Sequence, residues 1–125
     1  ALLLPFWLIH LAVAAVWLYE GLWCKLLNGQ PRQLRVVEAM PLCGARSATK
    51  LLRLVGAVET AIGVWVLTGI APIACALAQT VMLVTLNLCG LLWARRLIDD
   101  PAGMIVKNFA FLVLVWISAS FPAWK

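Results

Sequence analysis

The stretch Trp17-Leu-Tyr-Glu-Gly-Leu-Trp-Cys-Lys25 decides how this chain folds, because it ends a long apolar run with two charged side chains. The run begins at Leu2, and its charges are the carboxylate of Glu20 and the ammonium of Lys25. A charge at the end of a membrane-spanning helix is costly unless it is paired or reaches water. We therefore expect other parts of the chain to supply a partner.

The composition indicates a membrane protein. Hydrophobic residues make up 65% of the 125 positions and charged residues 12%, and the mean hydropathy is +1.01. Soluble domains carry charges at roughly a quarter of their positions. The net charge of +5 is also found in proteins that bind nucleic acid. Here the basic residues lie between apolar runs, so membrane topology explains them and we expect no nucleic-acid partner.

Four apolar segments are long enough to cross a bilayer, which takes about 20 residues of helix. The predicted fold class is therefore an all-α membrane protein: a four-transmembrane-helix bundle, forming a single domain over residues 1–125. The predicted spans are Leu2–Trp23, Leu51–Ile70, Pro72–Trp93 and Met104–Phe121. The first is too long for the core of a signal peptide, so we expect it to be retained.

The connections between the spans predict the topology. Thr68–Pro72 and Asp99–Gly103 are short turns with Gly and Pro as helix breakers. The longer basic connection between the first two spans contains Arg32–Met40, which suits either a short helix on the membrane surface or a solvated loop. Nine of the ten basic residues fall on or beside the first and third connections. The positive-inside rule makes residues 24–50 and 94–103 cytoplasmic, in a bacterial inner membrane.

Polar residues within the spans, apart from His10 and Gln79, collect in the half of the bundle nearest those basic connections. Gly56, Glu59 and Gly63 share one helix face, where the glycines would let a neighbouring helix approach closely and cover Glu59. We expect a polar vestibule open to the basic side, and an apolar bundle in the opposite half. The candidate binding or polar-network residues are Glu20, Lys25, Arg53, Glu59, Asn87, Asn108 and His10, and the vestibule is expected around Glu20, Lys25, Glu59 and Asn87. No catalytic residue and no metal ligand is predicted.

Lys25 is expected to pair with Glu59, with Arg53 as a competitor. Glu20 and Lys25 are five residues apart, which is about 140° around a regular α-helix and too far for easy pairing unless the helix frays at Cys24. Two interpretations of Glu59 stay open. It is a structural bridge or a protonated core residue, or it takes part in ligand binding or proton handling.

The remaining polar and aromatic residues are predicted to be mainly structural. A lone buried His10 suits a hydrogen-bonded core position better than a haem or metal ligand. Tryptophans near span ends anchor helices at the membrane interface, whereas Trp17 and Trp116 are deep enough to line a pocket. The predicted anchors are Trp23, Trp65, Trp93 and Trp124. Cys75 and Cys89 are expected to be buried as small apolar residues.

Short motifs spread over most of the chain resemble the DoxX-like family of small four-span membrane proteins. They are Tyr19-Glu-Gly-x-x-x-Lys25-Leu, Val37-Glu38, Leu54-x-Gly56-x-x-Glu59-x-x-x-Gly63 and Lys107-Asn108-Phe109. Some relatives carry an arginine early in the first span, where this chain has only His10 as a polar residue. Other relatives are fused behind soluble domains, which implies a cytoplasmic N-terminus and conflicts with the orientation from the basic residues.

The resemblance implies an accessory or anchoring subunit of a respiratory or oxidoreductase complex. Such a subunit has no cofactor of its own, contributes to a quinone or lipid site, and has the bilayer and other membrane subunits as partners. Two alternatives stay open. One is a small carrier or lipid-handling protein that uses the vestibule directly, and the other is a purely structural membrane subunit.

Overall fold

The computed structural model describes residues 5–27, 35, 38 and 45–120. Helix α1, Phe6–Leu18, continues without a break into a π-helix, Tyr19–Leu26. Three further long helices follow: α2 Ala45–Thr68, α3 Pro72–Trp93 and α4 Pro101–Ser120. A short 3-10 turn, Arg95–Leu97, precedes α4.

The predicted four-helix membrane fold is confirmed. In the described part of the chain, four helical segments are long and apolar enough to cross a bilayer: Phe6–Leu26, Ser47–Thr68, Pro72–Trp93 and Pro101–Ser120. Many of their large apolar side chains, among them Val81, Leu92 and Phe109, are exposed at the surface of the bundle. In a bilayer these side chains face lipid, which removes the cost that they would have in water.

The helices pack as two neighbouring pairs. Helix α1 and the π-helix lie along α2, and α3 lies along α4. Contacts of α1 with α4 and of α2 with α3 join the pairs. The core at this junction contains Val13 and Trp17 from α1, Val66 from α2 and Val115 from α4.

Glycines bring the first and second spans into direct backbone contact. A Cβ atom added to Gly21 would lie 2.6 Å from the carbonyl oxygen of Gly56, and one added to Gly56 would lie 2.8 Å from the carbonyl oxygen of Gly21. At Gly63, an added Cβ would lie 2.8 Å from Cγ of Leu18. The close approach predicted for Gly56 and Gly63 is confirmed, and the approaching neighbour is the first span.

Two helix boundaries have clear local causes. Helix α4 begins at Pro101, earlier than the predicted Met104, because proline suits the first helical position and Asp100 caps the helix. Asp100 Oδ1 accepts a hydrogen bond of 3.0 Å from the backbone N–H of Gly103. Between α2 and α3, the turn uses left-handed backbone at Gly69 (φ 70°) and Ala71 (φ 46°). Alanine pays a steric penalty there that glycine avoids.

Several predictions concern residues outside the described part of the chain. The surface helix or loop at Arg32–Met40 lies there, apart from Arg35 and Glu38, and so does the interfacial Trp124. Cys75 is buried as predicted, but Cys89 is only half-buried.

Candidate functional site

The π-helix places two charged side chains against the middle of α2. A π-helix has i→i+5 hydrogen bonds, so it is wider than an α-helix and has more residues in each turn. It carries Glu20 in its first turn and Lys25 in its last. The contact between Gly21 and Gly56 holds this segment against α2, and Glu59 lies three residues beyond Gly56, on the same side of that helix.

These residues form a group that we call the ion triad: Glu20, Lys25 and Glu59. Lys25 Nζ lies 2.8 Å from Oε1 of Glu59 and 3.6 Å from Oε2 of Glu20. Glu59 is 1% exposed and Lys25 is 7% exposed, whereas Glu20 is half-exposed. At 2.8 Å, the contact between Oε1 of Glu59 and Nζ of Lys25 is a close, charge-assisted ion pair.

The predicted pairing of Lys25 with Glu59 is confirmed, and Glu20, which we expected to pair with Lys25 only if the helix frays at Cys24, also lies within reach. That expectation assumed a regular α-helix, in which residues five apart point in different directions. In a π-helix, residues five apart are separated by roughly one turn, so their side chains project from nearly the same side of the helix. Lys25 therefore lies between both carboxylates.

The open vestibule predicted around the triad does not reach Glu59. Glu59 and Lys25 are enclosed by protein, because Gly21, Gly56 and Thr60 bring two backbones together beside them. The Thr60 hydroxyl donates a 2.8 Å hydrogen bond to the Gly56 carbonyl oxygen. Only the Glu20 edge of the triad faces outward.

Arg53, the predicted competitor, does not take the place of Lys25. Its side chain is exposed, and the described ion pair of Glu59 is with Lys25. Arg53 instead joins other exposed cations at this end of the bundle. These are Lys50, Arg53, Arg95, Arg96 and Lys107.

The two predicted asparagines pair with each other and link α3 to α4. Asn108 Nδ2 donates a 2.6 Å hydrogen bond to Oδ1 of Asn87. Asn87 Nδ2 donates to the carbonyl oxygen of Leu83 at 2.7 Å. Both side chains are half-buried. They form a second polar contact, and their described hydrogen bonds do not involve the ion triad.

The opposite half of the bundle is not the apolar structure that the sequence predicts. Trp17 Nε1 donates a 2.8 Å hydrogen bond to Oε1 of the buried Gln79. His10 Nδ1 lies 2.7 Å from the Ser118 hydroxyl, and both of these side chains are buried. Since a polar group inside a membrane protein needs such a partner, these contacts hold α1 against α3 and α4. We call these four residues the hydrogen-bond cluster.

A cavity of about 50 Å³ adjoins the hydrogen-bond cluster. Its polar lining comes from His10, Gln79 and Ser118, together with Cys75. Trp65 and the turn after α2 form its outer wall. His10 therefore occupies a hydrogen-bonded core position, as predicted, and it also borders a cavity, which was not predicted.

Sequence reasoning missed most of the hydrogen-bond cluster. Ser118 and Gln79 are isolated polar residues in apolar spans, and neither belongs to a recognisable motif. Trp17 was predicted to be deep, but its partner depends on which helix faces it. Trp116, also predicted to be deep, is half-buried and donates to the Thr80 hydroxyl at 3.0 Å.

The triad places one ammonium beside two carboxylates. Lys25 has three N–H donors and can hold two carboxylates. The two carboxylates beside Lys25 differ greatly in exposure, so its ammonium has one buried partner, Glu59, and one half-exposed partner, Glu20. Among the described residues, no group of three or more His, Cys, Asp or Glu side chains is placed to hold a metal ion.

Comparison with known proteins supports the resemblance of the motifs. The model of the DoxX-like family matches residues 14–116, which includes the ion triad and both asparagines. Searches of curated proteins and of solved structures found no match. Because the family model covers most of the sequence, the chain belongs to the DoxX-like family.

Proposed function

We propose that this integral membrane protein is an accessory or anchoring subunit of a respiratory or oxidoreductase complex, and that the outward edge of the ion triad contributes to a quinone or lipid site. The observation that carries the proposal is the enclosed contact of Lys25 with Glu59, which continues to the half-exposed Glu20. Charged groups inside a span are expensive, and they commonly mark functional positions.

The charge distribution supports docking at this same end of the bundle. All the exposed cations described on α2, the 3-10 turn and α4 lie there. A cationic rim attracts an acidic protein surface or anionic lipid head groups. Glu20 is the outward carboxylate of the triad, and a carboxylate accepts hydrogen bonds from donors on a partner or ligand.

Purification in a mild detergent tests the subunit proposal. Native membranes are solubilised, the tagged chain is isolated, and its associated proteins, quinones and lipids are identified by mass spectrometry. We expect a stoichiometric membrane oxidoreductase partner. Isolation of the chain alone, under conditions that keep other membrane complexes intact, would contradict the proposal.

The variant Glu59→Gln distinguishes a functional role of the ion triad from a purely structural one. Glutamine keeps the shape and most of the hydrogen bonding of glutamate but removes its charge. We expect the variant to insert and assemble, while the activity of the complex falls sharply. Full activity in Glu59→Gln would favour a purely structural role. Glu59→Leu is the matched packing control, since it also removes the hydrogen-bonding groups beside Gly56 and Gly63.

A small carrier or lipid-handling protein is the second candidate function. It is favoured by the different exposure of the two carboxylates, because Lys25 can exchange a buried partner for a surface one. Glu20→Gln would then reduce transport by the purified chain in liposomes without any partner subunit. Loss of activity only in the assembled complex would favour the subunit.

We also propose that the cationic end faces the cytoplasm of a bacterial inner membrane, as the positive-inside rule implies. A single reporter cysteine at Ser47, which is exposed near the start of α2, tests this in a background without the native cysteines. We expect labelling by a membrane-impermeant reagent only from the cytoplasmic side. Labelling from outside would reverse the topology and agree with the relatives that carry a fused N-terminal domain.

A further inference from the structure

We propose that the cavity beside the hydrogen-bond cluster is a binding site for a small neutral hydrogen-bonding group, such as an alcohol hydroxyl or an ester carbonyl. The site lies at the end of the bundle opposite the ion triad. It is lined by the start of α1, the end of α2, the start of α3 and the end of α4. It is therefore independent of the proposed subunit function.

The polar side chains at the cavity have hydrogen-bonding capacity beyond their described contacts. The Ser118 hydroxyl has one described contact, with His10, although a hydroxyl has one donor and two acceptor positions. Gln79 Nε2 donates at 3.3 Å to the Cys75 carbonyl oxygen, which is a long hydrogen bond, and at 3.4 Å to the Cys75 sulfur, which is a weak acceptor. Gln79 is 3% exposed and Ser118 is 5% exposed. A bound oxygen that accepts a hydrogen bond from Gln79 Nε2 or from the Ser118 hydroxyl would add to these contacts, and a bound hydroxyl would also have a proton to donate to the Ser118 oxygen.

The lining also selects the charge of the ligand. Among the described residues that line the cavity, there is no Asp, Glu, Lys or Arg. An ion bound there would lose its hydration without gaining a counter-charge, which is unfavourable in a site of low polarity. Apolar side chains, including Val66, Ile70 and Val115, supply the rest of the wall. A neutral group with a short apolar portion satisfies both kinds of surface.

The size of the cavity limits the ligand to a few non-hydrogen atoms. A volume of about 50 Å³ exceeds the ~10–15 Å³ that a single water needs by the same kind of measure. The ligand is therefore a small solute, or the ester region of a lipid that enters beside Trp65. The Trp65 indole donates a 2.7 Å hydrogen bond to the Ile70 carbonyl oxygen and so fixes this side of the entrance.

The test compares ethanol with propane, which has a similar size but no hydroxyl, on the full chain in lipid nanodiscs. Nuclear magnetic resonance follows the side-chain amide of Gln79 and the indole N–H groups of Trp17 and Trp65. We expect ethanol to shift these signals in a saturable way and propane to leave them nearly unchanged. Ethanol shifts that increase linearly without saturation, or equal saturation by propane, would overturn the proposal.

Ser118→Ala and Ser120→Ala form a matched pair on α4. Loss of the Ser118 hydroxyl should weaken ethanol binding roughly fivefold, the effect of about one hydrogen bond. Ser120 is exposed and donates to the Trp116 carbonyl oxygen, so its replacement should change the affinity little. Equal affinities in Ser118→Ala and the unmodified chain would contradict the proposal, provided that the dispersed indole signals of a folded protein remain.

Nanodiscs made with ester-linked or ether-linked phospholipid distinguish the two sources of ligand. If a lipid ester normally occupies the site, the ether lipid should increase ethanol affinity, because a competitor is removed. Equal saturable binding in both lipids would indicate a small solute. Both outcomes presuppose saturable binding of ethanol that propane does not reproduce, so both support the proposed site and differ only in the ligand that normally occupies it.

Discussion

At one end of the bundle Lys25 lies between two carboxylates, whereas at the other end Trp17, Gln79, His10 and Ser118 meet through hydrogen bonds. Both groups join the first span, which consists of α1 and the π-helix, to other helices, and both contain side chains that are almost fully buried. They differ in what happens when one partner is lost. An enclosed ion without its counter-ion is far more costly than an amide or indole without its partner. Side chains that are equally buried can therefore differ greatly in the free energy that is lost when a partner is removed.

The largest expected effect is that of Lys25→Met. It removes the ammonium and leaves Glu59 enclosed without a counter-charge, which should lower the free energy of unfolding by about 3–5 kcal/mol. Unfolding in mixed micelles of increasing sodium dodecyl sulfate content, followed by circular dichroism, measures the change. The exposed Lys50→Met is the matched control and should change little.

The double variant Lys25→Met, Glu59→Leu sharpens this test. Replacement of a buried ion pair by apolar side chains of similar volume is often neutral or stabilising. The double variant should therefore recover most of the lost stability. A loss equal to the sum of the two single losses would mean that packing, rather than charge pairing, holds the triad end together.

A second prediction concerns the backbone contact that positions the triad. Gly21→Ala places a methyl group 2.6 Å from the carbonyl oxygen of Gly56, so the helices must separate. We expect a loss of about 1–3 kcal/mol in the same unfolding assay. Gly90→Ala is the control, because its new methyl group would meet Ile98 at 3.5 Å, an ordinary contact. Equal losses at both positions would contradict the importance of this close approach.

A third prediction concerns the hydrogen-bond cluster. Gln79→Leu leaves the indole N–H of Trp17 without the acceptor that it has now. Hydrogen bonds between membrane helices contribute on average about 0.6 kcal/mol and at most about 1.7, so the loss should be well below that of Lys25→Met. A loss as large as that of Lys25→Met would remove the energetic difference between the two ends.

The smallest expected effect is a gain in the turn beside the cavity. Ala71 has φ 46°, where alanine is disfavoured and glycine is not. Ala71→Gly should therefore stabilise the chain by roughly 0.5 kcal/mol, after the extra flexibility of glycine in the unfolded state is subtracted. The same substitution at the helical Ala57 should have the opposite sign, a loss of about 0.5–1 kcal/mol. Destabilisation at both positions would indicate that the left-handed backbone costs little here.

Much of the fold follows from local sequence patterns. The lengths of the apolar runs predict four spanning helices, since bilayer thickness and helical rise leave few alternatives. The spacing of Gly56, Glu59 and Gly63 predicts one close-packed face of α2, because such spacing aligns side chains on any α-helix. The early start of α4 was missed, although Asp100-Pro101 carries a local signal for it.

The site required information that no local pattern contains. The π-helix was not predicted, because an extra residue in a turn depends on how that segment packs rather than on its composition. On the π-helix, the five-residue separation of Glu20 and Lys25 brings their side chains to the same side, whereas on a regular α-helix it would not. The partner of Trp17 was also beyond sequence reasoning, since Gln79 is 62 residues away.

Four apolar helices, one cationic end and a carboxylate that needs a partner can all be read from the amino-acid sequence. These properties depend on hydropathy, charge and helical periodicity, which act over short stretches of chain. Only the tertiary structure decided that Lys25 lies between both carboxylates and that His10, Gln79 and Ser118 border one cavity. Those outcomes depend on which helix faces meet and how closely, and the packing of the whole bundle fixes both.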